Sequence, residues 1–328
     1  MDIDIAKRRV EDVVEEWLVY HQGNVKPSTF DRIEQSWNNH VKKHVGHIQM
    51  GALKESDVEK MLSKMTSDGY SRSTVKKAYE VLSSCFRYYE ERRLISVNPV
   101  RVVKVPKGNK STKSKVVFYT EEELARIYQE ATRTYKTGTM VHRQGWILVL
   151  LGNTGLRASE IFGLRKENID LEKREIHING NRVVVIDRSN SPKKTMYLEQ
   201  STPKTEDSIR VVKLNDTAYK AVEELIKQSG DSPYLASTRT GELLLPANFD
   251  RTFRRVLQKA GFDENKIYGV HALRHSFATC LLRNGVNIKV VSEMLGHSDV
   301  RITLSTYIHV LREDYSDAVA KLDNAVGF

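Results

Sequence analysis

His271-Ala-Leu-Arg274-His275 opens a stretch that runs through an apolar segment to Leu295-Gly296-His297 and closes at Thr306-Tyr307. The i,i+3 spacing of His271 and Arg274 puts both on one face of a helix that buries Leu273, Phe277 and Leu281 or Leu282 on neighbouring faces. A guanidinium offers two parallel donors to a pair of phosphate oxygens, and an imidazole titrates near neutral pH. A later histidine and a tyrosine ten residues beyond it complete a set suited to holding a phosphodiester and attacking it with a phenol. A plainer reading is a polar helix start with a histidine cap, and Tyr307 alone is by default a packing residue. His271 and His275 are also i,i+4, as zinc ligands would be, and His40, His44 and His47 repeat that spacing. Neither cluster has the glutamate that metalloprotease chemistry needs or a nearby cysteine, so no metal site is expected.

Working back from that stretch, the segment before it mixes helices with a few strands. Thr120 and Glu123 form a capping box, and Trp146 to Leu151 reads as a buried helix stopped by Gly152-Asn153 and Gly155. Thr154-Gly155-Leu156-Arg157-Ala158-Ser159-Glu160 sets an arginine beside a glycine turn with an acid one turn on; by itself this is an ordinary i,i+3 ion pair. Strand patterns follow at 175–178, 182–186 and 209–214, with Gly180-Asn181 as the turn of a hairpin. Between the last two strands lies a polar excursion, Asp187 to Asp207, that holds Lys204 just ahead of Ser208-Ile-Arg210.

The first hundred residues are helical in pattern. Val10, Val13, Val14, Trp17 and Leu18 make one apolar stripe, and Lys26-Pro27-Ser28-Thr29 starts a second helix. Ser56 and Glu59 have capping-box spacing for a third, and a fourth begins near Ser71 to Ser73. Its outer face carries Arg72, Lys76 and Lys77. Asn98-Pro99 ends the helical unit. From Arg101 to Lys115 there are six basic residues and no acidic ones, with Lys104, Lys107, Lys110 and Lys113 at a three-residue interval. The bland reading is a solvated linker; the one-sided charge favours a linker that also lies along a phosphate backbone.

Composition sets the outer bounds. A chain of 328 residues has room for two domains, and 40% hydrophobic residues with a mean hydropathy of −0.47 describe a globular protein. No apolar run approaches the roughly 20 residues a membrane span requires. The net charge of +10 and pI near 9.4 permit nucleic-acid binding without proving it. Cys85 and Cys280 lie far apart in apolar helical patterns, as buried thiols of a reducing compartment do, which points to the cytoplasm.

Taken together and in order, Thr154-Gly155-Leu156-Arg157-Ala158-Ser159-Glu160, Lys204, His271-Ala-Leu-Arg274, Leu295-Gly296-His297 and Tyr307 closely resemble the tyrosine recombinase (phage integrase) family. The resemblance is strongest over about 117–310; the N-terminal features Lys26-Pro27-Ser28-Thr29 and Gly46-His47-Ile48 are less specific. It implies a mainly α fold with a small antiparallel β-sheet. The implied domains are a helical, SAM-like core-binding domain at 1–103, a basic linker at 104–116, a mixed α/β catalytic domain at 117–310 and a C-terminal segment at 311–328. Leu311, Tyr315, Val319 and Leu322 in that last segment form an apolar stripe suited to docking on a neighbouring subunit.

The implied chemistry is site-specific strand exchange through a 3′-phosphotyrosyl intermediate, with no metal, ATP or other cofactor. Tyr307 is the nucleophile, Arg157, Arg274 and His297 clamp the phosphate, His271 takes the tyrosine proton as general base or holds its acceptor, and Lys204 is the general acid, with Glu160 bracing Arg157. Lys26, Arg72, Lys76, Lys77, Lys104, Lys107, Lys110 and Lys113 are further candidates for DNA contact. The implied partners are double-stranded DNA carrying specific sites and three further copies of the chain in a homotetramer, with room for accessory DNA-bending proteins. A type IB topoisomerase, a chromosome dimer-resolving recombinase and a decayed, binding-only relative are the competing readings.

Overall fold

In the computed structural model, residues 3–107, 116–188, 194–200 and 209–313 are described. The chain divides into two units, Met1–Ser114 with Val185–Met196, and Lys115–Val184 with Tyr197–Phe328.

The first unit is built from helices α1 (Ile3–Lys7), α2 (Val10–Gln22), α3 (Pro27–Ser36), α4 (Lys42–Val45), α5 (Glu55–Ser67) and α6 (Arg72–Glu91). Every member of the α2 stripe is buried. Pro27 sits at the first turn of α3, where its missing N–H costs nothing. A π-helical turn, Trp37–Val41, then brings α3 into α4 and buries Trp37 completely. Ser71 caps α6 by accepting from Thr74 N at 3.2 Å. Trp17, Trp37, Met61, Met65, Leu82 and Phe86 form the centre of this core, each contributing roughly 1.5–3 kcal/mol of burial. Tyr89 Oη donates to Val13 O at 3.3 Å and ties α6 to α2. The cap of α5 differs from expectation. Asp57 Oδ2 accepts from Lys54 N at 3.0 Å, so the helix starts one residue before Ser56, and Ser56 and Glu59 play no capping part.

The second unit is organised around α8 (Gly145–Thr154), whose residues are apolar almost all round, as a helix covered on every side must be. It packs against α7 (Glu121–Ala131), α10 (Asp216–Ser229), α11 (Pro246–Lys259) and α12 (His271–Arg283). The expected capping box opens α7, with Thr120 N donating to Glu123 Oε2 and Glu123 N to Thr120 Oγ1. Helix α8 runs through Gly152-Asn153 and stops only at Gly155, which takes the left-handed conformation (φ 64°). After it come the short α9 (Ala158–Gly163) and, past α12, α13 (Ile288–Leu295) and α14 (Val300–Glu313). Tyr307 therefore lies in the middle of α14, a continuous helix that crosses residue 310.

The strands pair differently from the sequence pattern. β1 (Ile169–Asp170), β2 (Glu175–Ile178) and β5 (Arg210–Lys213) form an antiparallel sheet in the order β1-β2-β5, with Ile176 opposite Val212 and Ile178 opposite Arg210. β3 (Asn181–Asp187) pairs instead with β4 (Lys194–Gln200), a strand inside what reads as a polar excursion. Gly180-Asn181 does not turn a hairpin, because β2 pairs with β5 and β3 with β4 rather than with each other. The tight turn lies at 171–174, where Arg174 takes φ 54° and Lys173 N donates to Asp170 Oδ1 at 2.9 Å.

The segment Val185–Met196 groups with the helical unit. There Ile186 N donates to Asp31 Oδ2 at 2.9 Å, and Arg188 donates to Asp31 Oδ1 at 2.6 Å and to Glu34 Oε2 at 2.7 Å, with its guanidinium 4.6 Å from the centre of the Phe30 ring.

Candidate active site

Three arginines converge on the C-terminal end of α13. Arg210 Nε donates to Met294 O at 3.0 Å, Arg274 Nη2 to Leu295 O at 2.7 Å, and Arg157 Nη2 to Gly296 O at 3.0 Å. The last carbonyls of a helix lack intrahelical partners and carry the negative end of its dipole, so successive guanidiniums are well received there. Arg157 comes from the start of α9, Arg274 from the first turn of α12 and Arg210 from β5.

Two glycines make the convergence sterically possible. Gly296 adopts φ 63°, and a Cβ there would sit 2.8 Å from Arg210 Nη1. Gly155 ends α8, and a Cβ there would sit 2.5 Å from the Phe277 ring; its carbonyl accepts Arg274 Nη1 at 2.7 Å. The glycines of the Thr-Gly-x-Arg and Leu-Gly-His patterns are thus required by backbone conformation and by close approach to the site's own side chains.

Glu160 braces this arrangement. Its carboxylate accepts from Arg157 N and Arg157 Nη1, both at 2.8 Å, and from Arg210 Nη1 and Nη2 at 3.0 and 2.9 Å. The Glu160 and Arg210 side chains are only 5% and 7% exposed. Burial pushes the carboxyl up, but the hydrogen bonds and charge of Arg210, with those of Arg157, outweigh it and hold the pKa at about 2. Arg274 is 3% exposed. Burial and the charge of Arg157 push its pKa down to about 9, which leaves it charged at neutral pH.

His297 follows directly from the same turn. Its Nε2 lies 3.0 Å from Arg274 Nη2, and its Nδ1 lies 2.8 Å from Oγ1 of the fully buried Thr303. A guanidinium only donates, so Nε2 accepts and the ring's hydrogen sits on Nδ1, facing Thr303. Burial, then Arg274 and Arg157, hold the pKa down at about 4, so the ring is neutral at neutral pH.

The nucleophile's partner departs from expectation. Tyr307 Oη lies 2.8 Å from Nδ1 of His275, not on His271. His271 stands one turn earlier, exposed at the helix start, with its ring edge-on to His275 at 4.7 Å between centroids. Its pKa is lowered by the packing around it and by Arg274 and Arg157. The i,i+4 spacing that suggested a metal pair puts both histidines on one face, and α14 meets that face at the second of them.

Of the expected site residues, Arg157, Glu160, His271, Arg274, His297 and Tyr307 stand on neighbouring elements of one unit, while Lys204 lies outside the described residues. Sequence reasoning passed over Arg210, Thr303 and His275. Arg210 had a signal: it alternates with the buried Val212 and Leu214, so it occupies an inward position of β5 and needs a buried acid. In the helical unit, Lys26, Arg72, Lys76, Lys77, Lys104 and Lys107 are exposed, with Lys76 3.5 Å from Glu80. Lys110 and Lys113 fall outside the described residues. Arg32, Lys77 and Arg87 line part of a 410 Å³ cleft between α3 and α6.

Residues 117–314 match the Phage integrase family, and residues 10–66 match the Phage integrase N-terminal SAM-like domain. The chain belongs to the phage integrase family and is a site-specific DNA recombinase of the tyrosine type. A relative named Tyrosine recombinase XerC-like, from Caldanaerobacter subterraneus subsp. tengcongensis, is 27% identical over 345 residues, covering 99% of this chain and 85% of its own length. The structure of the Tn1549 transposon integrase in complex with transposon right end DNA shares the fold with a TM-score of 0.72 at 23% identity, covering 94% of this chain and 99% of that one. A lambda integrase tetramer bound to a Holliday junction shares it with a TM-score of 0.66 at 15% identity, covering 92% and 77%. The expected fold class, mainly α with a small antiparallel sheet, holds.

Proposed function

We propose that this chain is the integrase of a mobile element and exchanges DNA strands through a 3′-phosphotyrosyl intermediate formed at Tyr307, with neither metal nor ATP. The observation that carries this reading is the surplus of positive charge at the end of α13. Among the described residues, Arg157 and Arg210 share one carboxylate, Glu160, Arg274 donates to the carbonyl of Gly155 beside them, and His275 on the helix that supplies Arg274 holds a tyrosine hydroxyl. A scissile phosphate is the anion that would complete such a site.

In this reading Arg157 and Arg274 donate to the non-bridging oxygens as charge builds on the pentavalent phosphorus, a contribution of about 3–4 kcal/mol per preorganised donor. His297 joins them when the phosphate displaces its contact with Arg274 and the proton is carried on Nε2. His271 adds a further hydrogen bond from the start of α12. Lys204 protonates the leaving 5′-oxygen, so the intermediate keeps the phosphodiester energy and needs no external supply. The helical core-binding domain (1–103) and the basic linker (104–116) hold the duplex, with Lys26, Arg72, Lys76, Lys77, Lys104, Lys107, Lys110 and Lys113 on its phosphates. Four copies assemble on paired sites, each passing its C-terminal segment (311–328) to a neighbour, and DNA-bending proteins assist where the sites are far apart. The similarity to integrases solved on transposon DNA and as a junction-bound tetramer supports the element and the assembly.

The test is a nicked suicide substrate, on which cleavage traps the covalent adduct. Incubating the chain with a pool of nicked duplexes and sequencing the attached strands returns the site, and relaxation of supercoils without site preference would favour a topoisomerase instead. A 5′-bridging phosphorothiolate, whose sulfur leaves unprotonated, restores cleavage by Lys204→Ala if Lys204 is the acid.

A further inference from the structure

The hydroxyl of Tyr307 lies 2.8 Å from Nδ1 of His275, with ring centroids 5.8 Å apart and planes inclined by 65°. Tyr307 is 1% exposed and is walled by Phe277, Ala278, Leu282, Val291 and Leu295. A phenol sealed in this way has no bulk water at hand to receive its proton. The group beside it must serve, and that group is an imidazole.

We propose that His275, not His271, takes the proton of the attacking tyrosine. The proposal rests on Tyr307 being the nucleophile. In the forward step Tyr307 Oη bonds to phosphorus and its hydrogen passes to His275 Nδ1. The bond from phosphorus to the bridging 5′-oxygen breaks, its electron pair leaves on that oxygen, and the oxygen takes a proton from the general acid. His275 is then an imidazolium with hydrogen on both nitrogens. On rejoining, the 5′-hydroxyl attacks, the phenolate leaves, and Nδ1 returns its proton to the phenolate oxygen.

The electrostatics suit that traffic. Burial raises the phenol to about 12, with the charge of Arg274 opposing it, so hydroxide alone ionises it slowly at neutral pH. Burial, then His271 and Arg274, hold His275 at about 4, so the ring is neutral and has a free lone pair to offer. His271 is itself depressed, first by burial and then by Arg274 and Arg157. When a phosphate neutralises Arg274, one of the lesser influences that keep His275 unprotonated weakens, just as a proton must be taken up.

The decisive measurement is the rate of adduct formation against pH, from 6 to 9, on a nicked duplex drawn from the pool that the wild-type chain attaches to. Wild type should be level across that range, because His275 titrates well below it. His275→Gln keeps an acceptor but cannot take a proton. It should be slower at neutral pH by about a hundredfold or more, with a rate that climbs about tenfold per pH unit as hydroxide takes over. A fluorinated tyrosine of lower pKa at position 307 should restore most of the lost rate, which also shows that the variant is folded. His271→Gln should be slower yet remain level. The proposal is overturned by a level profile for His275→Gln, by faster adduct formation in that variant, as a resting clasp would give, or by a slope that appears in His271→Gln instead. If His275→Gln fails to bind DNA, His275→Asn with and without the fluorinated tyrosine makes the same comparison, and equal rates overturn the proposal. Adduct formed by Tyr307→Phe in the same assay would remove the nucleophile assignment rather than this one.

Discussion

Two partly or fully buried ion clusters in this molecule have opposite arithmetic. In the helical unit one guanidinium, Arg188, lies between two carboxylates, Asp31 and Glu34, with side chains 19%, 10% and 18% exposed. In the catalytic unit one carboxylate, Glu160, lies between Arg157 and Arg210, with Arg274 close by. In the first cluster, among the described residues, two carboxylates face one guanidinium, with a backbone N–H and an aromatic ring beside them. The second, among the described residues, gathers three guanidiniums about one carboxylate in a largely buried setting, a standing cost that a protein accepts where an anion is to be bound. The same residue types at similar distances thus make a clasp in one place and a receptor in the other. The count of charges decides which.

That contrast can be broken or sharpened by substitution. Tyr307→Phe should abolish covalent adduct altogether while leaving binding to duplex DNA intact, read by gel shift alongside the suicide substrate. Arg210→Ala leaves Glu160 short of its main partner in a buried site and should lower unfolding stability by about 3–5 kcal/mol, seen as a drop in the denaturation midpoint. The pH dependence should follow. Glu160 titrates lower in the folded chain than its usual 4.5, so its stabilisation is complete above that value and is lost as the pH falls toward about 2. Glu160→Gln should flatten that acid limb. Arg274→Lys keeps one charge but loses the fork, and should reduce cleavage by about a hundred- to thousand-fold with little change in melting. Arg188→Ala should cost about 1.5–3 kcal/mol of stability and leave the intrinsic cleavage step on a nicked site almost unchanged. If Arg188→Ala instead matched Arg274→Lys in cleavage, the distinction between clasp and receptor would fail.

Much of the site is legible in the chain because its chemistry depends on short local spacings. His271 and Arg274 share a helix face, Arg157 and Glu160 are one turn apart, and the glycines before Arg157 and His297 mark turns that only glycine makes easily. What the sequence hides is long-range. Arg210 meets Glu160 across 50 residues, and nothing local to β5 reveals its partner. β2 pairs with β5 and not with its neighbour β3, since Gly180-Asn181 is as compatible with extended chain as with a turn. His275 was set aside because it failed as a zinc ligand, although a histidine that does not bind metal can still bind a phenol. The Ser56 cap was misplaced because Asp57 takes the N–H of Lys54, which moves the cap two residues earlier.

The short helix α13 contributes no reactive group, yet the carbonyls of Met294, Leu295 and Gly296 at its end carry Arg210, Arg274 and Arg157 in turn. Three cations from three distant parts of the chain therefore share one mount. A rotation of α13 by a few degrees would swing all of them together, so no single arginine can be re-aimed by a change in that helix without disturbing the other two. Variation tolerated during divergence should accumulate on the outward side of α13, at positions such as the exposed Val290, and spare the turn that follows it.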